Sequence, residues 1–208
     1  LKGAWRTFHI SAYDSDRVSD EFVEEMAMRY GEDSSAFKVR CLGEFAEETD
    51  DTIIPLELID SAIQREIPVD HNVADTIWAL DVARHGADSS VLVKKTGSTI
   101  TEIKSWKRLD LMELSGRIHA EYDTTEPENR PHELYVDVIG MGYGVLDAIN
   151  SIGRINAVGI NVAESPSQKE TYMNLRSELW FKFKSFLENK MCKLPNNEYM
   201  IADLIGVK

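Results

Sequence analysis

The chain has 208 residues, 43% hydrophobic and 28% charged, with a formal net charge of −13. That length supports one sizeable core, or one domain with an appended piece. No apolar run approaches the ~20 residues of a membrane-spanning helix, no signal-peptide pattern opens the chain, and a start at Leu1 rather than Met reads as a piece of a longer protein.

The acidic balance repels polyanions at long range, whereas a chain that grips nucleic acid unaided usually carries a basic surplus. It suits a divalent-cation site, although most such carboxylates form a solvated surface. Cys41 and Cys192 stand far apart in sequence, so they make neither a CxxC motif nor a disulfide framework. Two free thiols in a reducing compartment are expected.

Trp5–Ser15 opens with an aromatic-rich run that predicts an extended segment. Ser19 or Asp20 caps a short helix that stops at Gly31. Ser34–Phe45 alternates and reads as extended; acidic Ala46–Thr52 reads as a linker. Ile54–Ile67 predicts a helix with Pro55 near its start. From Asp75 the pattern changes. Asp75–Ala83 predicts a strand, and Ser89–Leu109 a hairpin turning at Lys94–Ser98. Asp110–Thr124 has apolar Leu111, Leu114, Ile118 and Tyr122 at helical spacing. A strand over His132–Gly140, a helix over Gly144–Ile152 and a strand over Ile155–Ser165 follow. Ser167–Met191 reads as one long helix, broken at Pro195 before a short helix or extended tail. The order β–β–β–α–β–α–β–α predicts an α/β domain opening with an antiparallel meander.

Two apolar strands carry an aspartate: Asp81 in "WALDV" and Asp137 in "YVDVI". One strand-end aspartate commonly caps a turn. Two, on neighbouring strands, would face and repel each other. Divalent cations relieve such repulsion, and oxygen donors suit Mg²⁺ or Mn²⁺. Two such ions activate water and stabilise the leaving oxygen in phosphodiester hydrolysis. Asp88, in "GADSS", reads as a turn carboxylate or a secondary partner. His9, His71, His85, His119 and His132 show no ligand spacing.

Gly140, Gly142 and Gly144 between a strand and a helix offer a rival, a nucleotide-binding α/β domain, with Glu164 placed as a ribose-binding acid. The spacing is G-x-G-x-G, not G-x-G-x-x-G, and Asp137 would put negative charge beside the pyrophosphate. A tight strand-to-helix turn explains the same glycines. Basic residues cluster at Lys94, Lys95, Lys104, Lys107 and Arg108, and on the last long helix at Lys169, Arg176, Lys182, Lys184, Lys190 and Lys193. They are solvated faces or phosphate contacts.

Taken together, "ALDVARHGADSSVLVKKTG", "YVDVIGMGYGVLDAI" and "ETYMNLRSELWFKFKSFLENKMCKLP" resemble the C-terminal nuclease domain of tailed-phage terminase large subunits. The preceding "YGEDSSAFKVRCLGEFAEETDDTIIPLELIDSAI" is similar to the segment joining the ATPase half to that nuclease. The resemblance implies a ribonuclease H-like mixed β-sheet flanked by helices, with an N-terminal linker segment. Residues 1–50 would be the end of the ATPase half and linker, and 51–208 the nuclease. It implies a two-metal (Mg²⁺ or Mn²⁺) endonuclease cutting concatemeric double-stranded DNA in the host cytoplasm. Its partners would be DNA, the ATPase domain, the portal protein and the small terminase subunit, with no membrane. Asp81 and Asp137 match two metal aspartates, and Asp203 is the late aspartate available as the third. The family's usual Ser-Pro-Asp and Asp-Ala motifs are absent before Lys208. A non-catalytic docking module with an incomplete site is the other alternative.

Overall fold

The computed structural model describes residues 8–33, 37–44, 52–67, 75–83 and 88–207. The chain divides into two compact units, residues 1–53 with 198–208, and residues 54–197.

In the first unit, α1 (Asp20–Tyr30) starts where Ser19 accepts a hydrogen bond from the Phe22 N–H, and stops at Gly31, whose φ is 80°. The expected strand over Trp5–Ser15 does not form within its described part. Residues Ala12–Asp14 make a short 3₁₀ turn instead. The Ser11 N–H and hydroxyl both donate to the Asp14 carboxylate, at 2.9 and 2.7 Å, and such local bonding competes with a strand ladder. Lys38–Leu42 is also a helical turn rather than the extended segment its alternation suggested. Phe37 and Cys41, one helical turn apart, are buried together with Val23 and Met26 of α1. The expected linker at Ala46–Thr52 lies outside the described residues apart from Thr52. At the other end of the chain α6 (Glu198–Ile205) belongs to this unit, and the Ile53 N–H donates to the Val207 carbonyl at 3.0 Å.

The second unit is built on β1 (Thr76–Asp81), β2 (Ser89–Thr96), β3 (Thr99–Lys107), β4 (Glu133–Asp137) and β5 (Ala157–Ile160). They form one sheet in the order β3-β2-β1-β4-β5. The first three are antiparallel neighbours; β1, β4 and β5 run parallel. This is the mixed sheet of a ribonuclease H-like fold. The β2–β3 loop is only Gly97 and Ser98, and the φ of 55° at Gly97 suits glycine.

The hydrophobic pattern selects the face. Trp78, Leu80, Leu92, Leu134 and Val136 point to one side. There they meet Leu114 and Ile118 of α3 (Leu111–Thr124), and Val145 and Ile149 of α4 (Gly142–Ile152). Asp110 caps α3 through a reciprocal box with Glu113. α2 (Leu56–Gln64) packs against α5 (Leu175–Glu188). The strand-like residues after α5 are stitched to both neighbours: Leu194 N–H donates to the Ala62 carbonyl, and Ile100 N–H to the Lys193 carbonyl. α5 begins at Leu175, eight residues later than its apolar pattern suggests, because the Asn174 side chain accepts from the Ser177 N–H and caps it there. Both cysteines are free and buried.

Lys94 departs most from a surface lysine. It occupies a core-facing position of β2 and is 9% exposed. Its ammonium lies 2.9 Å from Glu121, 2.7 Å from Glu102 and 4.7 Å above the Trp78 ring. Lys104 bonds the same Glu121 oxygen at 2.7 Å. A register shift after Lys94 sets Glu102 opposite it. Burial alone would raise the Glu102 and Glu121 carboxyls, but the ammonium hydrogen bonds outweigh it and both lie below the usual glutamate range. These two lysines are therefore engaged internally rather than offered to phosphates.

α4 starts against the strand it follows. A Cβ at Gly142 would lie 1.9 Å from the Asp137 carbonyl oxygen. Gly142→Ala is therefore expected to destabilise the fold by about 2–3 kcal/mol in urea denaturation. Gly116, inside α3 with open space around it, provides the opposite case. Gly116→Ala is expected to stabilise by about 0.5–1 kcal/mol.

Candidate active site

β1 and β4 are paired in parallel with Leu80 opposite Val136. One residue further, each strand ends in an aspartate, Asp81 and Asp137. Alternation along a strand turns successive side chains to opposite faces. Since Leu80 and Val136 face the core, both carboxylates lie on the other face, at the C-terminal ends of adjacent strands. This register places Asp81 and Asp137 side by side.

Their electrostatics follow from that placement. Asp81 keeps a solvent-exposed edge, yet its carboxyl is raised above the ordinary aspartate range. Burial is the largest cause, and the charge of Asp137 the second. The Val82 N–H and the charge of Arg176 act in the other direction. Asp137 is partly buried, and one of its oxygens, Oδ1, accepts the Ile139 N–H at 3.0 Å. That bond fixes the carboxylate in the turn and leaves Oδ2 available. The donor set is therefore two oxygen-bearing groups that repel each other in partial burial, which fits a hard divalent cation.

The glycine-rich turn has a packing explanation. Gly140 has a φ of 73°, Gly142 lies against the Asp137 carbonyl, and a Cβ at Gly144 would lie 2.9 Å from Leu111 Cδ1. The chain's own close approaches account for these glycines without a bound nucleotide.

Other expected residues lie elsewhere. Asp88 is exposed just before β2. His85 falls outside the described residues. Asp203 stands on α6, in the unit that does not contain β1 and β4, and burial raises its carboxyl. Among the described residues, no three His, Cys, Asp or Glu side chains form a set able to hold a metal ion. A cavity of about 490 Å³ lies away from the aspartates, over Thr76, Trp78 and the Lys94–Glu121 network.

Sequence reasoning missed Glu178. Its carboxylate is buried on α5 and accepts from both the backbone N–H and the hydroxyl of Ser167, and from Lys182. The Lys182 and Ser167 bonds, in that order, lower its pKa to about 2. The i,i+4 spacing of Glu178 and Lys182 is legible in sequence; the capture of Ser167 across a loop is not. This anchor holds the segment between β5 and α5, next to the aspartates' end of the sheet.

No protein-family model matches this sequence, and no curated protein does. Solved structures do. The nuclease domain of the large terminase subunit gp2 of bacterial virus Sf6 superposes with a TM-score of 0.62 at 15% identity, over 76% of this chain and 82% of that one. The large terminase nuclease from thermophilic phage G20c gives 0.56 at 13% identity, over 74% and 80%. This chain has the fold of a large-terminase nuclease domain. Metal-bound neighbours are similar too: the K428A mutant of the Sf6 domain with manganese and the G20c nuclease with magnesium, at TM-scores of 0.59 and 0.56. In this terminase-nuclease fold, Asp81 and Asp137 sit at the C-terminal ends of the central strand β1 and its parallel neighbour β4.

Two predictions follow from the charges. Asp81 is raised when folded, so its ionisation costs stability as pH rises through the carboxylate range. Without divalent cation, Asp81→Asn should raise the melting temperature at pH 7, with the gain vanishing in acid; equal melting at both pH values would contradict this. Glu178 has the opposite sign. Its stabilisation is complete above 4.5 and lost as pH falls towards about 2. Glu178→Gln should therefore melt lower than wild type at pH 7, with the difference narrowing over that window in thermal scans.

Proposed function

We propose that this chain is the metal-dependent endonuclease domain of a viral DNA-packaging terminase, acting on double-stranded concatemeric DNA. The observation that carries the reading is the Asp81–Asp137 pair at adjacent parallel strand ends, in a fold shared with terminase nucleases. Asp81 and Asp137 are the groups that would hold Mg²⁺ or Mn²⁺. A divalent cation there supplies Lewis acidity towards the phosphodiester and lowers the pKa of water, and a pair of cations serves both the attacking and leaving oxygens. The chain's own contribution is to hold the two carboxylates ready: the β1–β4 register sets their spacing, and the Ile139 N–H fixes the Asp137 rotamer.

Residues 1–50 would then be the end of the ATPase half and its linker, with 51–208 the nuclease. The net charge of −13 fits a domain to which DNA is delivered by other parts of the machine. Those parts are the ATPase domain, the portal protein and the small terminase subunit, in the host cytoplasm. No helix among the described residues is long and apolar enough to cross a membrane. A docking module with an incomplete site is the second reading. The lack of a three-residue metal set among the described residues favours it.

Plasmid cleavage separates the two. The endonuclease reading expects nicking and linearisation with Mg²⁺ or Mn²⁺, none in EDTA, and losses of at least about 100-fold in Asp81→Asn and Asp137→Asn, the scale of removing one preorganised electrostatic group. Full activity in either variant would overturn the assignment, and no cleavage in any metal would favour the docking module. Asp203→Asn belongs in the same assay: an equal loss makes Asp203 the third ligand, and wild-type cleavage removes it.

A further inference from the structure

The path of the chain brings a basic residue to the aspartates. Asp137 is paired with Ile160 at the end of β5, so residues 161–164 leave the sheet beside the carboxylates. α5 is then hung on that segment. The Leu175 N–H donates to the Glu164 carbonyl and the Arg176 N–H to the Val162 carbonyl, both at 2.9 Å. Glu178, gripping Ser167, fixes the same loop to the first turns of α5. Arg176 is thus held by backbone bonds at the end of the sheet where Asp81 and Asp137 lie, and its charge bears on Asp81.

Its guanidinium is not tied up in the local structure of α5. Arg176 is exposed, and among the described residues its side chain makes no hydrogen bond or ion pair. It is the second residue of α5, where the helix dipole disfavours a cation. Its counterpart on the same helix, Lys182, is engaged by Glu178. β3 runs parallel to β1 in this sheet and brings exposed Lys107 and Arg108 to the same end. Lys94 and Lys104 are spent on internal carboxylates, whereas Arg176, Lys107 and Arg108 are exposed at the sheet's aspartate end.

We infer that Arg176 is a substrate-binding residue whose guanidinium takes a phosphate of the DNA backbone beside the Asp81–Asp137 pair. The inference rests on the endonuclease reading for its substrate. It assigns to an acidic chain a local cation where the backbone must approach two carboxylates. A guanidinium is suited to this because it grips phosphate with two parallel N–H donors.

The test is binding of a short fluorescent duplex by the 208-residue chain in Ca²⁺, over a salt series, with plasmid cleavage in Mn²⁺ alongside. Arg176→Ala is expected to weaken duplex binding about tenfold, as for a lost hydrogen bond to a charged group. It should also lower the salt slope by about one. Arg176→Lys should recover part of the affinity and the full slope. Lys184→Ala, on the same helix, should leave the slope unchanged, and melting temperatures should not fall in any of the three. An unchanged slope in Arg176→Ala overturns the inference, as does a wild-type chain that binds no duplex. So does an effect confined to Mn²⁺ affinity, which would make Arg176 a counter-ion of Asp81 only. If cleavage is robust while the slope does not move, Arg176 falls alone. If the slope falls by one but no metal supports cleavage, the phosphate contact stands and the endonuclease reading fails.

Discussion

Leu80 and Val136 face each other across the parallel β1–β4 pairing, both buried and both one residue short of an aspartate. That register does two things at once. It packs the centre of the sheet against α3 and α4, and it sets Asp81 and Asp137 side by side on the opposite face. A slip of one residue would turn Trp78 and Leu80 outwards and bury a carboxylate. The core therefore enforces the site: the energy that holds two like charges together comes from apolar burial on the other side of the same strands.

The surroundings distribute charge according to the same constraint. On the core face, Lys94 is tolerated because Glu121, Glu102 and the Trp78 ring surround its ammonium. Removing both glutamates would leave a buried cation uncompensated. On the aspartate face the imbalance is left in place. Asp137 has one backbone donor, and Asp81 is raised by burial and by its neighbour. One network is satisfied and serves stability. The other leaves two like charges adjacent at the strand ends, the kind of imbalance at which functional sites tend to cluster. Gly142 makes this arrangement compact, since any side chain there would push α4 off the Asp137 carbonyl.

Much of this was readable. The hairpin at Gly97–Ser98, the capping box of α3 and the apolar strands around Asp81 and Asp137 all carry short-range signals. The misreadings share a cause. Ser34–Phe45 alternates like a strand, but Lys38–Leu42 closes into a helical turn, and Phe37 and Cys41 bury together against α1. Residues 167–174 have helical composition, yet Asn174 caps α5 and Glu178 captures Ser167, so the loop stays open. Lys94 looks like surface because its partners, Glu102 and Glu121, come from another strand and a helix.

The sequence by itself determined the element order from Asp75 onward and the alternation of the strands that carry the two aspartates. Those properties depend on periods of two and 3.6 residues within a single segment. Only the tertiary structure decided which strands besides the β2–β3 hairpin became neighbours, that Arg176 would arrive beside Asp81 while Lys94 turned inward, and that Glu178 would fasten the loop between β5 and α5. Those outcomes depend on contacts between residues far apart in the chain, and no local pattern of composition encodes which distant carboxylate a given cation will meet.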